Sequence, residues 1–571
     1  MDEALQPHAA AITGTRRRAD TTLIMSLVPS GPSSIFRPLP RSVTQPISVA
    51  VLLAWVAVMA VVVNRSYLKA SSVSLAADLA SYGSAAEWRG VYYRGEKIGF
   101  TVSQTVTKGD GFELEEDGRL QMSLLGATTA ATVRTRAQVD SSFALRSFQF
   151  SLDPGTGPIE VNGALSGTRL ALSVKTAGGT RTEIRELPEP PALSLNLSRR
   201  LANGGLVPGA RHRWTVFDPA TLHNAPVVVD VGKRELVRSA GASPIPAFRV
   251  EMEFSGLRTT SWVTDTGEVI REESPLGLIT VREPAATARA MAVSSRIQSD
   301  LLESSAVVPI TKERIDEPRD VRRLRIRLEG ADWSVVDGVN ASGAGQTVID
   351  AAKHIIEIRD PQTLVAAPAD PDAARSLAPE PLIESDDPVI RAEADRAVVG
   401  VSGTRARAER LTRYVNGLLE KKPTMSIPSA REVLRTKVGD CNEHTALFVA
   451  MARSLGIPAR IAVGLVFVRG AFYYHAWPEV YLDEGGGRGL WLPVDPTLNQ
   501  FPADATHVRL ARGGLEKQTV ILPLVGRLKI TIVDLELAPN SRPILAGAPP
   551  ADLGALAIPL PRRKTCCACS R

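Results

Sequence analysis

Apolar and polar positions alternate in different ways along the 571-residue chain, and each change of pattern marks a change of expected structure. Residues 47–63 read ISVAVLLAWVAVMAVVV, in which only Ser48 is polar. The run is 17 residues long, at the short end of the roughly 17–25 that a membrane-spanning helix needs and longer than the roughly 7–15 of a signal-peptide core. No small-residue cleavage site follows at once, since the next residues are Asn64, Arg65 and Ser66. Arg16, Arg17, Arg18, Arg37 and Arg41 precede the run, and only Arg65 and Lys69 follow closely. The positive-inside bias therefore predicts a single-pass anchor at 47–63 in the inner (plasma) membrane. Residues 1–46 would lie in the cytoplasm, and the remainder on the non-cytoplasmic, periplasmic side. A cleaved signal is the alternative. Residues 1–46 are rich in Pro, Ser and Arg without periodicity and read as disordered.

After a small-residue spacer the pattern turns to period two. From 87 to 296, stretches such as VYYRGEKIGFTVSQTVTKGDGFELEEDGRLQMSLL, LALSVKT and APVVVDVG alternate apolar with polar positions. Arg94-Gly95 and Lys108-Gly109-Asp110-Gly111 supply hairpin signals. No helical periodicity is expected there. The stretch predicts an antiparallel β domain, built as a sheet, sandwich or open barrel. Trp214, His212 and Trp262 are better read as core or surface residues than as a groove lining. A small β unit follows at 300–360, where VRRLRIRLEG sets Leu324, Ile326 and Leu328 on one face and Arg323, Arg325 and Arg327 on the other. The proline- and alanine-rich stretch within 361–385 reads as a linker.

From 386 the period becomes helical. Ala408, Leu411, Val415, Leu418 and Leu419 fall on one stripe. Ser429, with Glu432 three residues on, predicts a helix start. A further helix is expected from Cys441 to about Leu455, stopped by Gly456 and Pro458. Strand-like runs then complete a stretch over 386–540, and 541–571 reads as a disordered tail. The expected class is α+β: an N-terminal transmembrane helix, an antiparallel β-rich domain, then a mixed domain of helices and antiparallel sheet.

Composition changes little in this picture. Hydrophobic residues make up 44% and charged residues 22%, as in globular chains. The 67 basic residues barely exceed the 61 acidic ones, and no long basic run accompanies them, so no nucleic-acid partner is expected. The cysteines matter more. Cys441 is the sole cysteine in the first 565 residues, and Cys566, Cys567 and Cys569 crowd the terminal RRKTCCACSR. Their spacing completes no common zinc pattern, and they read as incidental, with metal binding or lipid attachment as alternatives.

A cysteine at a helix N-terminus meets free N–H groups and the positive end of the helix dipole, which favour the nucleophilic thiolate. Gly439-Asp440 before it and Asn442-Glu443 after it would be odd around a buried hydrophobe. His475, 34 residues on in a strand-like run, is the candidate base, and Asp495, 20 further, the candidate group to orient it. His444, in the same helix as Cys441, is a rival base whose packing role is the better reading.

The blocks GDCNEHTALFVAMARSLGIPARIAVG, HAWPEVYL and WLPVDPT resemble the transglutaminase-like superfamily, papain-like cysteine enzymes. Their pattern runs G-x-C, a helix, R-x-x-G-I-P-A-R, H-A-W-x-E and D-P-T. The resemblance covers about 385–510. It implies a papain-like transglutaminase core with Cys441 as nucleophile, His475 as general base and Asp495 as orienting partner. The implied reaction opens with thioester formation at a peptide or glutamine amide. Resolution by water makes a protease or amidase, the preferred expectation; resolution by an amine makes a transglutaminase. A non-catalytic envelope-binding scaffold is the non-enzymatic alternative. The Cys441 N–H is the expected oxyanion donor, with Trp477 and Tyr474 as candidates for a second. Glu443 and Glu479 read as structural, and Trp491 as packing under Asp495. Some animal relatives of this superfamily depend on calcium, but no acidic loop here has calcium-ligand spacing, so no cofactor is expected. The expected partners are a protein or peptide substrate and, through residues 47–63, the membrane; the residues assign no oligomeric state.

Overall fold

The alternating stretch folds into one continuous antiparallel sheet of 14 strands. This is seen in a computed structural model that describes residues 82–545 except 84–85, 125–126, 156, 177, 239–242, 255, 291–304, 331–341, 424–428, 514–520, 522–523, 540 and 542–543. The apolar run at 47–63, residues 1–46 and the C-terminal cysteines lie outside the described residues. Among those described, no helix is long and apolar enough to cross a membrane.

Two meanders make the sheet, β1 (Glu87–Tyr93) to β8 (Gly179–Glu186) and β9 (Arg211–Asp218) to β14 (Leu278–Arg282). They join where β1 pairs with β14, leaving β8 and β9 as the edges. Helix α1 (Ser194–Asn203) connects the two meanders. Leu193 at its start packs with Phe148, Leu170, Leu172 and Phe217, while Leu197 and Leu201 pack with Val227, Val229 and Val250. The helix thus serves two core clusters on one sheet. It departs from the expected all-strand pattern because Leu193, Leu195 and Leu197 alternate like a strand, and only the Leu197–Leu201 spacing is helical. His212 stacks on Trp214 at the β9 edge, and Trp262 donates to Glu235 at 2.5 Å. A single turn, α2 (Ala285–Arg289), follows β14.

Beyond it, β15 (Glu313–Arg314) pairs with β27 (Ile544–Leu545). Strands β16 (Val321–Glu329), β17 (Gln346–Asp350), β18 (Ile355–Arg359) and β26 (Lys529–Leu537) form a sheet in the order β17-β18-β16-β26. Leu324, Ile326 and Leu328 are fully buried, and Arg323 and Arg325 face Asp534 and Glu357 across the strand pairs. The chain therefore returns from its C-terminal end to complete this unit, a long-range pairing that no local pattern reveals.

The stretch read as a linker is packed. Strand β19 (Ala367–Pro368) adds an edge to the next sheet, and Leu382, Ile383, Glu384 and Ser385 are buried. Helix α3 (Pro388–Ala397) starts at Asp387, whose carboxylate accepts from the N–H groups of Val389 and Ile390. Helix α4 (Thr404–Leu418) buries Ala408, Leu411 and Val415, the expected stripe. The two-residue strands β20 (Glu420–Lys421) and β21 (Val438–Gly439) pair in parallel, and helix α5 (Ala430–Thr436) lies between them. Helix α6 (Cys441–Ser454) precedes the antiparallel strands β22 (Ala459–Val468), β23 (Ala471–Gly485), β24 (Arg488–Pro493) and β25 (Val508–Gly513), in the order β19-β24-β23-β22-β25. One apolar core runs through both smaller sheets and α3–α6, from Leu324 and Ile356 to Leu447, Phe448, Val480 and Leu492.

Among the described residues, the large sheet meets this half of the chain around residues 382–386 and the start of α5. Leu382 packs into the cluster of Phe148 and Leu170. Glu384 accepts from Thr176 of β7 (Arg169–Thr176) at 3.2 Å and from Ser429, the N-cap of α5, at 2.5 Å. Arg181 of β8 pairs with Asp386.

Candidate active site

The chain enters α6 through a tight corner. A Cβ on Gly439 would fall 2.2 Å from Glu443 Cβ, so the position two residues before Cys441 tolerates only glycine. Asp440 caps the helix by accepting from Asn442 N at 3.0 Å, and Glu443 Oε2 returns to Asp440 N at 2.8 Å, a reciprocal capping box. Glu443 is structural in that sense: it closes its own helix.

Cys441 is partly exposed and unpaired by any disulfide. The Ala476 N–H donates to its sulfur, and Thr445, one turn on in α6, donates to Ala476 O at 3.1 Å. The reason lies in strand register. The β23–β24 ladder ends at Glu479 opposite Pro493, so Ala476 turns its N–H and C=O to the first turn of α6. Ala476 directly follows His475 on β23, so the sulfur meets the strand that carries the candidate base. Burial and the carboxylates of Asp440, Glu443 and Asp495 hold the thiol well above its ordinary pKa, with the Ala476 N–H as the opposing influence. The expectation of a resting thiolate is corrected on this point. The helix-end N–H groups that would stabilise an anion are shared with the Asp440 carboxylate, whose own charge opposes one on sulfur.

His475 sits opposite Gly464 in the β22–β23 ladder. A Cβ on Gly464 would fall 2.0 Å from Val508 O, so glycine is what lets β25 close against β22 here. His475 Nε2 lies 2.8 Å from Asp495 Oδ2. Oδ1 of Asp495 accepts from Thr497 N at 2.7 Å and Leu498 N at 2.9 Å, so the D-P-T turn wraps its own carboxylate. Asn416 of α4 fastens this turn by donating to Pro496 O at 2.7 Å and Thr497 O at 3.0 Å. The Asp495 carboxyl lies far below its usual range because His475 and His507 outweigh the effect of burial.

His507 was not singled out from the sequence. Its Nε2 is 3.1 Å from Asp495 Oδ2, and its Nδ1 is 3.2 Å from both Asp504 Oδ1 and Asp504 O. It is 12 residues past Asp495, just before β25, in a stretch with no periodicity of its own; only its nearness to the D-P-T block could have drawn attention to it. His475, Asp495 and His507 offer ligand atoms within 4.8 Å of one another. Asp495 Oδ2 already accepts from both rings, so the cluster is a hydrogen-bonded chain rather than a cation cage.

Glu479, two residues beyond Trp477 on the same strand, is fully buried. It receives Arg460 of β22 at 2.8 Å and Arg509 of β25, and these guanidiniums with that of Arg512 pull its carboxyl down to about 2 against the effect of burial. It therefore ties three strands together. Trp491 does not pack under Asp495: its Nε1 donates to Asp370 at 2.8 Å, and Arg460 lies over its ring at 3.7 Å. His444 is fully buried and its Nδ1 lies 2.7 Å from Asp440 O, the expected packing role. Tyr474 Oη and Trp477 Nε1 are buried without hydrogen-bond partners among the described residues. Trp477 meets His507 edge-on at 5.1 Å.

With this geometry in hand, a sequence profile described as the Transglutaminase-like superfamily matches residues 391–496. This part of the chain is similar to the transglutaminase-like superfamily. The match includes Cys441, His475 and Asp495, and stops short of His507. No curated protein matches the chain. Among solved structures, the transglutaminase-like chain is similar to a candidate cysteine protease from Cytophaga hutchinsonii, 16% identical, covering 40% of this chain and 90% of that chain with a TM-score of 0.25. The periplasmic domain of TgpA from Pseudomonas aeruginosa, bound to ethylmercury, is 16% identical over 32% of this chain and 91% of that one, with a TM-score of 0.21. A beta-barrel-like protein of a domain of unknown function from Brucella abortus is 12% identical over 35% and 96%, with a TM-score of 0.28. Scores this low carry no argument about activity.

Proposed function

We propose that the transglutaminase-like domain is a cysteine hydrolase that attacks a peptide or glutamine side-chain amide through a thioester on Cys441. The observation that supports this most is the clamp on Ala476, which sets the sulfur one residue from a histidine already held by a carboxylate. A carboxylate only accepts, so His475 carries its proton on Nε2, leaving the Nδ1 lone pair for the thiol. In the forward step Sγ bonds to the amide carbon while His475 takes the thiol proton. The oxyanion forms where the main-chain N–H of Cys441, at the start of α6, is the natural donor. The C–N bond then breaks, with the His475 proton passing to the departing amine or ammonia. Water next attacks the thioester, giving its proton to His475; the acid leaves and the thiol is restored. Because its surroundings push the Cys441 thiol upward, His475 serves here as a general base at the moment of attack.

The test is incubation of the purified full-length chain with glutamine-containing peptides, with and without a primary amine, read by mass spectrometry. Peptide cleavage or conversion of glutamine to glutamate supports hydrolysis. Stable incorporation of the amine in preference to water would make the domain a transglutaminase, and no turnover at all would favour an envelope-binding scaffold. The charge distribution around 47–63 further supports an anchored enzyme facing the periplasm. A reporter fused after residue 70 should be active only on that side, and cytoplasmic activity would overturn the placement.

A further inference from the structure

His507 is fully enclosed by acceptors. Nδ1 faces the main-chain oxygen and Oδ1 of Asp504, and Nε2 faces Oδ2 of Asp495. Asp504 is itself an anion: Oδ1 also accepts from Thr506 N at 2.9 Å and Thr506 Oγ1 at 2.6 Å, and Oδ2 accepts from Gln500 Nε2 at 2.8 Å. Asp495 is likewise saturated with donors. A carbonyl or carboxylate oxygen cannot donate, so both ring nitrogens of His507 must carry hydrogen. The ring is a buried cation, in accord with its pKa, pushed up to about 9 by the two carboxylates despite burial.

We propose that His507 is a positioning residue of the reaction: its imidazolium holds the same Asp495 oxygen that orients His475 and cancels one of the two buried carboxylate charges, so that His475 waits neutral for the thiol proton. This rests on the cysteine-enzyme reading of the site. The charged neighbours fit. His475 and the edge of Trp477 face His507 from β23, Asp495 from the turn after β24, and Asp504 from the loop before β25. Arg509 lines the same closed space of about 10 Å³, but it is committed to Glu479. With His507 charged, Asp495 and Asp504 leave one net negative charge for the His475 imidazolium that forms during attack. With His507 neutral there would be two, which would favour the protonated form of His475 and weaken it as a base. The two rings are 5.9 Å apart by centroid, close enough for the charge of one to govern the other.

The experiment has two arms on the full-length protein. In the first, His507→Gln keeps a donor for Asp495 and removes the charge. The acid limb of the kcat/KM–pH profile should move up by about one to two pH units, as two unit charges at this separation would give at an effective dielectric near 20, with KM little changed. A purely structural role would lower the folded fraction and leave the limb where it was, and an unmoved limb overturns the proposal. Asp504→Asn, which removes a negative charge from the same cluster, should not move the limb up, and an upward shift there would overturn the charge balance proposed for His507. In the second arm, histidine-labelled wild-type protein is followed by NMR. His507 should show both nitrogens protonated at pH 7 and titrate near 9; a neutral tautomer at pH 7 overturns the proposal even where His507→Gln fails to fold. Turnover retained by Cys441→Ala would instead sink the cysteine-enzyme reading, while the charge state read by NMR would stand on its own.

Discussion

Gln346 grips the main chain of Arg509 from both ends of its side-chain amide, donating to Arg509 O at 2.7 Å and accepting from Arg509 N at 2.9 Å. A residue of β17 thus stands in for an extra strand on β25, two residues from His507. Removing it strands a buried N–H and a buried C=O, each costing about 1–3 kcal/mol. Gln346→Leu should lower the calorimetric melting transition of this half of the chain by about 2–4 kcal/mol of stability, together with kcat. An unchanged transition would show that the small sheet does not brace the site.

Alkylation reports the resting state of the sulfur. With the thiol held above its ordinary range, iodoacetamide should label Cys441 at pH 6 no faster than a free cysteine, and labelling should accelerate only as the pH rises well above neutrality. Rapid labelling at pH 6 would mean a preformed thiolate. Cys441→Ala should lower turnover by about 10⁴-fold or more with the fold intact.

Asp495→Asn retains the shape of the carboxyl group but lets the ring adopt the wrong tautomer. The rate should fall by about 10³–10⁴-fold with little change in KM. His475→Gln should be at least as severe, and His444→Gln far milder. A reversed order in kcat would transfer the role of base to His444.

Glu479 offers a stability test with a definite sign. Its folded pKa is depressed to about 2, so the stability it contributes is present above its ordinary value of 4.5 and is lost as the pH falls from there toward 2. Glu479→Gln, which leaves Arg509 buried without its counter-charge, should destabilise by about 3–5 kcal/mol at neutral pH and flatten that acid limb. His507 runs the opposite way: its folded pKa is raised, so its contribution is full below about 6.5 and fades as the pH climbs through 9. Chemical denaturation across pH 3 to 10 would display both slopes.

What the residues disclose on their own is uneven, for physical reasons. The start of α6 at Cys441 was legible because capping is local: Gly439, Asp440 and Glu443 spell it out within five residues. The stripe Ala408, Leu411, Val415 was legible because a helix repeats its buried face. The return of Lys529–Leu537 to Val321–Glu329 was hidden, since pairing across that distance leaves no trace in either strand beyond alternation. The burial of Ile383 and Glu384 was masked by the prolines and alanines around them. His507 escaped notice because its carboxylate partners come from two separate stretches, the turn after β24 and the loop before β25. Trp491 was misplaced because a strand pattern tells which face a side chain takes, not which neighbour waits there.

The carboxylate of Glu384 stands between two territories, with Thr176 on one side and Ser429 on the other. From Ser429 only one short helix separates it from the nucleophile candidate. A fragment cut to begin at 386, the obvious choice for expressing the catalytic half by itself, would amputate that keystone together with the buried Leu382 and Ile383. Assays on such a fragment would measure a loosened relative of the enzyme, and inactivity there would say more about the cut than about Cys441.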